Sequence, residues 1–151
     1  MLIVPSLAFA DLGDTYSASC KKYGGKGTPF TDSVVWKTRN GIVMEWFHNN
    51  QCVCVVYSPF LGTNYPEGEV WRSLQANSKP GAKWIRNPND KDGNCEYQTE
   101  DGTIYGKWSY NGKYFSVRVA YASFLHRHGL LTSDMPTDDT LPPVEESKPI
   151  I

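Results

Sequence analysis

The sequence lacks a surplus of charge of either sign, because 15 Lys and Arg residues stand against 16 Asp and Glu residues in 151 positions. Binding to nucleic acid or to an anionic membrane surface depends on clustered positive charge, so neither class of partner is indicated. No segment approaches the roughly 20 consecutive apolar residues that a membrane-spanning helix needs. We therefore expect no nucleic-acid partner and no integral membrane span.

Catalytic and metal-binding motifs are also lacking. The chain has no Gly-x-Ser-x-Gly, no His-Glu-x-x-His and no phosphate-binding loop. His126 and His128 flank Arg127, and a His-x-His pair can chelate a metal from one strand face, but a solvated chain end is the favoured interpretation. Asp101 belongs to an Asp-Gly step, which is typical of a turn. We expect no metal, no cofactor and no enzyme activity, with a hydrolase as the least favoured alternative.

Aromatic residues, in contrast, are abundant, with nine Tyr, six Phe and five Trp in a chain that also holds 13 Gly and 10 Pro. This composition favours a compact domain that contains β-structure. The length is sufficient for one domain with its own core.

The two ends of the chain differ from its middle. Residues 1–10 are uncharged and mostly apolar, and they end in Ala8-Phe9-Ala10. Ala8 and Ala10 are small residues at the −3 and −1 positions that signal peptidase recognises. This segment is predicted to be a partial signal peptide, although an N-terminal strand is the alternative. Residues 132–151 carry five acidic residues and four prolines, a composition that predicts a disordered acidic tail.

The middle of the chain contains the same pattern twice. Residues 38–41 and 99–102 share Thr-x-(Asn/Asp)-Gly, and residues 53–60 and 117–124 share Val-x-Val-x-Tyr-x-x-Phe. Asn-Gly and Asp-Gly are strong hairpin signals, and a helical pattern precedes each copy. The sequence predicts a single domain over residues 11–131 with repeats at 11–60 and 67–124. Each repeat is expected to be a helix followed by a three-stranded antiparallel meander, with the helices on one face, which is an α+β fold.

Three phrases of the chain carry a family resemblance. Gly13-Asp14-Thr15 precedes a helix that closes on Tyr23-Gly24, residues 47–53 read Phe-His-Asn-Asn-Gln-Cys-Val, and Lys83-Trp84 follows the second helix. The pattern resembles the small envelope proteins of the outer-membrane assembly lipoprotein and β-lactamase-inhibitor-protein group, and also uncharacterised exported bacterial proteins. The resemblance implies a non-catalytic protein of the cell envelope that binds another protein.

Alternation along the strands divides each meander into two faces. One parity repeats between the copies and is predicted to form the core: Trp36, Val53, Val55, Tyr57, Tyr97, Val117, Val119 and Tyr121. The other parity holds Cys52, Cys54, Val56 and Ala120 as well as the residues predicted to bind a partner, which are Met44, Trp46, Tyr105, Lys107 and Arg118. An apolar and aromatic face rimmed by cations is typical of a protein interface. Alternatively, this face packs on the loop at 58–68, on the other repeat, or on a second copy as a homodimer.

Four cysteines in an exported chain permit three disulfide pairings. Cys20 and Cys95 both point towards the predicted core, so a bond between them is sterically plausible. Cys52 and Cys54 share a face, at the limit of the distance that a disulfide spans. Four buried free thiols are the alternative.

These observations predict a periplasmic or secreted, non-enzymatic protein that binds a protein partner through its exposed sheet face. A glycan-binding module that stacks sugar rings on Trp46 and Tyr105 is the second reading.

Overall fold

The structure is a computed structural model that describes residues 11–31, 33–60, 67–87, 94–110 and 115–127. The signal-peptide and acidic-tail predictions lie outside these residues. The helices and strands of the described part, in chain order, are α1 Tyr16–Tyr23, β1 Thr28–Pro29, β2 Ser33–Lys37, β3 Gly41–His48, β4 Gln51–Pro59, α2 Glu67–Ala76, β5 Trp84–Arg86, β6 Asn94–Thr99, β7 Ile104–Tyr110, β8 Phe115–Tyr121 and α3 Ala122–Arg127.

The strands form one antiparallel sheet in the order β1-β2-β3-β4-β8-β7-β6-β5. Its centre is the pairing of β4 with β8, in which Val55 lies opposite Val119. On each side of this pair the strands run outward in reverse chain order, so each half of the sheet contains four strands preceded by a helix. The α+β class is confirmed, and the sheet dominates the fold.

Helix α1 has the ends that its sequence predicts. Thr15 is the N-cap, and its hydroxyl accepts a hydrogen bond from the Ala18 backbone N–H at 3.2 Å. Gly24 closes the helix in the left-handed conformation, with φ of 79°, and its N–H donates to the Cys20 carbonyl. The helix therefore stops where a glycine can take the φ that other residues avoid.

The β3–β4 hairpin departs from ideal geometry at one point. Asn49 and Asn50 take φ of 50° and 58°, the conformation that a tight hairpin turn requires. Beyond the turn, Phe47 pairs with Cys52 whereas Trp46 pairs with Cys54. Val53 is therefore the extra residue of a β-bulge, which reverses the side of the sheet that its neighbours face.

The main core lies between the sheet and the first two helices. The predicted core residues Trp36, Val55, Tyr57, Tyr97, Val117 and Val119 are all buried in it. From the helices, Tyr16, Cys20 and Tyr23 of α1 and Val70, Trp71 and Leu74 of α2 pack against the same cluster. Two predicted core residues are placed elsewhere. Val53 and Tyr121 belong to a second, smaller cluster. Val53 lies there because it is the extra residue of the bulge.

Candidate functional site

The predicted binding residues lie on the side of the sheet opposite the main core. We call this side the second face, and it comprises Val35, Ile42, Met44, Trp46, Cys54, Val56, Glu96, Tyr105, Lys107, Arg118 and Ala120. One ladder crosses it from Val35 through Met44 and Val56 to Arg118 and Lys107. The structure therefore brings Met44, Lys107 and Arg118 together in a single row.

Helix α3 covers one end of the second face, which the sequence did not predict. Phe124 and Leu125 of α3 are buried against Cys54, Tyr105 and Ala120. Tyr105 keeps only 3% of its surface exposed, so the expectation that it is an open binding residue is wrong. Trp46 is half-buried, with its ring centroid 6.4 Å from that of Phe124. These two aromatic residues therefore belong largely to a small second core.

The cysteines are not paired in the structure. All four are free thiols, with Cys20 half-buried and the other three buried. Because of the bulge, Cys52 joins the main core whereas Cys54 joins the cluster beneath α3. The expectation that these two share a face is therefore wrong, and a bond between them is excluded by their positions on opposite sides of the sheet. The Cys95 sulfur instead accepts a hydrogen bond from the Arg86 guanidinium at 3.3 Å.

Beyond the reach of α3, the second face is apolar on one half and charged on the other. Val35, Met44 and Val56 on β2, β3 and β4 are half-buried. Ile42, next to this row, has 37% of its surface exposed. An apolar strip that is not fully covered is a feature that partner proteins use.

The charged half holds two cations side by side. Lys107 and Arg118 are directly opposite each other on β7 and β8, and like charges in that arrangement repel. Lys107 lies 3.7 Å from the Glu96 carboxylate. Arg118 lies over the Tyr105 ring, 5.9 Å from its centroid, and its Nε is buried without a hydrogen-bond partner. The face thus presents two half-buried cations next to an apolar strip.

Comparisons with known proteins do not name this fold. No family model, no curated protein and no solved structure matches the chain.

A second site was not predicted from the sequence. Asp11, which is fully buried, accepts hydrogen bonds at 2.5 Å from the hydroxyls of Tyr23 and Tyr57 on one carboxylate oxygen. Its other oxygen lies 2.5 Å from Lys22 Nζ, which also contacts Asp14 at 2.6 Å. Burial lowers the pKa of Lys22, but its hydrogen bonds to both carboxylates outweigh this effect and raise it. The segment before α1 is thereby fastened to the helix and to β4.

Glu45 lies beside this network and is also fully buried. Ser19 of α1 donates a hydrogen bond at 2.7 Å to one of its carboxylate oxygens, whereas the other oxygen has no partner. Burial, reinforced by the charge of Asp11, raises the pKa of Glu45 to about 8, against opposing effects of the Ser19 hydrogen bond and of Lys22. The Asn77 side chain accepts a hydrogen bond from the Asp11 backbone N–H. We call this group the Asp11 cluster, and it consists of Asp11, Asp14, Ser19, Lys22, Tyr23, Glu45, Tyr57 and Asn77.

The strand alternation already contained a signal for Glu45. Val43, Glu45 and Phe47 share one parity, and the two apolar residues predict that this parity faces the core. A carboxylate at such a position is rare unless it is paired or protonated. Asp11 offered no comparable signal, because it precedes the first helix and belongs to no periodic pattern.

The described residues contain few other candidate sites. A groove of about 420 Å³ is lined by Lys83, Thr99, Glu100 and Asp101 together with Gly81 and Ala82. The Asp101 carboxylate accepts hydrogen bonds from Thr99 and from Thr103, which lower its pKa, so it fastens a turn. Within the described ranges, no group of three or more His, Cys, Asp or Glu side chains is placed to hold a metal ion. No helix among those residues is both long and apolar enough to span a membrane.

Proposed function

We propose that the chain is an exported, non-enzymatic protein-binding domain that uses the uncovered part of its second face. Its occupant is a segment of a partner protein that carries apolar side chains next to a carboxylate. The apolar side chains fit against Val35, Met44 and Val56, and the carboxylate lies between Lys107 and Arg118. The envelope-protein resemblance supports a role of this kind.

The adjacent Lys107 and Arg118 side chains are the observation that carries this proposal. Two cations directly opposite each other on neighbouring strands destabilise the sheet. A carboxylate supplied by the partner offsets that repulsion, because the Lys107 and Arg118 side chains are only half-buried and can be reached from solvent. Charge complementarity thus favours an acidic partner over a neutral or basic one.

The location of the aromatic residues makes a glycan-binding module less favourable. Sugar recognition by stacking needs an open ring face, and Tyr105 is buried beneath α3. We therefore place the binding residues at Met44, Lys107 and Arg118, and assign Trp46 and Tyr105 to support of the fold.

The two halves of the sheet support a second inference, that the chain contains a tandem duplication. Each half has a helix followed by four strands, and the two sets lie in mirrored order about the β4–β8 pair. The repeated sequence patterns at 38–41 and 99–102 fall at the same point of each half. The repeating unit is then one short strand longer than the meander predicted from the sequence.

Synthetic peptides provide the direct test of binding. One set alternates Leu or Val with Asp, and a matched set carries Lys in place of Asp. Isothermal titration is expected to show binding of the acidic set only, and rising salt should weaken it. Replacing Lys107 and Arg118 by Gln should reduce affinity by about tenfold or more, the loss expected when a paired charge is removed.

A charge-matched control separates this site from general attraction. Lys21 and Lys26 are exposed residues on and just after α1, and their double replacement by Gln should leave the affinity unchanged. Equal binding of acidic and basic peptides, or equal losses in both double variants, would contradict the proposal. Concentration-dependent self-association that the Lys107 and Arg118 variants abolish would show instead that the occupant is a second copy of the chain.

A further inference from the structure

The backbone at Asp11 is held by a side chain from the other half of the molecule. The N–H groups of Asp11 and Leu12 both donate to Asn77 Oδ1, at 2.8 and 3.0 Å. Asn77 is buried and is itself fixed, because its Nδ2 donates to the Ser73 carbonyl of α2 at 2.8 Å. A main-chain nitrogen in the middle of the fold therefore faces a rigid, buried acceptor.

Among the described residues, the groups around this nitrogen include more carboxyl groups than ammonium groups. Three carboxyl groups, those of Asp11, Asp14 and Glu45, interact with one ammonium group, that of Lys22. Within the described part of the chain, the carboxyl groups of Asp11 and Asp14 both contact the same ammonium group, that of Lys22. Buried or partly buried charges are stable only when they are balanced and hydrogen-bonded. A second positive charge at this point would complete the balance.

The sequence supplies a source for that charge. Ala8-Phe9-Ala10 has small residues at the two positions that signal peptidase reads, and the next residue is Asp11. We propose that the chain is cut between Ala10 and Asp11, and that the new α-ammonium group of Asp11 binds Asn77 Oδ1 and completes the Asp11 cluster. This inference rests on the export component of the proposed function, and not on its binding face.

The chemistry of the cut is a peptide-bond hydrolysis by an endopeptidase of the signal-peptidase class. The C–N bond between Ala10 and Asp11 breaks, the oxygen of water adds to the Ala10 carbonyl carbon, and the freed amine takes up protons. One amide donor becomes an ammonium group with three donors, one of which keeps the contact with Asn77. A charge-assisted hydrogen bond of this kind is stronger than a neutral one, so the cut chain is expected to be more stable than the uncut chain.

This stabilisation is expected to depend on pH. The α-amino group has an ordinary pKa near 8, and neighbouring carboxylates favour its charged form in the folded chain. Its contribution is therefore present below about pH 8 and is lost as the pH rises through the higher folded value. The titratable groups that surround the site are Asp11, Asp14, Lys22, Tyr23, Glu45, Cys52 and Tyr57.

Two experiments test the inference. In the first, the full chain is synthesised in a cell-free system that contains a bacterial signal peptidase, so that the bond is accessible before folding buries Asp11. Intact mass spectrometry is expected to show one product that begins at Asp11. Replacement of Ala8 by Asp should block the cut, because a charged residue does not fit the −3 position. An uncut chain, or a product with a different first residue, overturns the processing site.

The second experiment compares the chain that begins at Asp11 with one that keeps Ala10 as its first residue. At about pH 6 the Asp11 chain is expected to melt roughly 3 °C higher, and this difference should vanish at high pH. Asn77→Ala should lower both melting temperatures and remove the difference between them. An amine-reactive reagent should also label Asp11 about tenfold more slowly than Ala10, because the Asp11 amine is held and charged.

Equal melting and equal labelling of the two chains would overturn the docking of the α-ammonium group, and the labelling result does not depend on a variant that must fold. These outcomes are independent of peptide binding at Lys107 and Arg118. A failure of the binding proposal therefore leaves this inference standing, and the reverse also holds.

Discussion

Glu45 and Gly106 occupy the same place in the two halves of the sheet. One ladder runs from Glu45 through Val55 and Val119 to Gly106, so each of the two lies one strand away from the central pair. Above Glu45, α1 supplies Ser19, which hydrogen-bonds to the carboxylate. Above Gly106, α2 supplies Leu74, which lies so close that a side chain on the glycine would overlap it.

The comparison shows that one backbone arrangement accepts two kinds of packing. Both helices pack on the apolar core, but at this position of the ladder α1 makes a polar contact with the sheet and α2 makes a close apolar one. Polar contacts with titratable groups change with pH, whereas apolar contacts change with side-chain volume. The two halves should therefore respond to different perturbations.

The largest effect is expected from Glu45→Gln, measured as the free energy of unfolding at several pH values. The pKa of Glu45 is raised to about 8 in the folded chain, so this group binds its proton more tightly when folded. The contribution of Glu45 to the free energy of unfolding is fully favourable at low pH, and it is lost as the pH rises from about 4.5 to about 8. Glutamine removes this loss and should stabilise the chain by about 3 kcal/mol near pH 7.

The replacement by glutamine isolates the ionisation of Glu45. Both a protonated carboxyl and an amide keep the hydrogen bond from Ser19 and leave one polar group unpaired, so the two states differ little at about pH 5. Glu100, which is exposed on the second half, provides the control, because Glu100→Gln should leave the pH dependence of unfolding unchanged. Identical pH profiles for the wild type and Glu45→Gln would show that the buried carboxyl does not govern stability.

Gly106→Ala tests the second half, and the expected loss is about 2 kcal/mol, in the range observed for overpacked cores. The physical cause is the overlap between the added methyl group and Leu74. Urea unfolding of a double-mutant cycle with Leu74→Ala checks this cause, since the smaller side chain leaves room for the methyl group. The cost of Gly106→Ala should then fall to well below half, and strict additivity of the two changes would contradict the explanation.

The sequence predicted much of the fold because local signals agreed with one another. Thr15 and Gly24 mark the ends of α1, and alternating apolar residues mark Val55, Tyr57, Val117 and Val119 as core. The bulge at Val53 could not be predicted in this way. A single extra residue changes the face of the sheet to which Cys52 points, and the alternation of apolar residues does not reveal this shift.

The candidate site was predicted only in part, for a similar reason. Met44, Lys107 and Arg118 lie in one row, as strand alternation indicates. Tyr105 is covered because α3 turns back onto the sheet directly after β8, and six residues are too few for a helical period to be distinguished from the strand before them. The Asp11 cluster depends on contacts between residues distant in sequence, which side-chain periodicity does not reveal.

The smallest effect is expected on the second face, where the two halves also differ. The ladder places Met44 on β3 in the position that Lys107 occupies on β7. If that face is open to a partner, Met44→Gln should change the free energy of unfolding by no more than about 0.5 kcal/mol, as surface substitutions do. Val43, its neighbour on the core side, is fully buried, and Val43→Thr should cost about 2 kcal/mol because it buries a hydroxyl.

The same Met44→Gln variant should weaken binding of the acidic, apolar peptides severalfold, because a polar side chain interrupts the apolar strip. Urea unfolding and isothermal titration on one preparation therefore separate stability from binding. If Met44→Gln instead destabilises the chain as much as Val43→Thr does, Met44 is packed within the folded molecule. The second face would then have no apolar strip to offer, and the first half would differ from the second only beneath its helix.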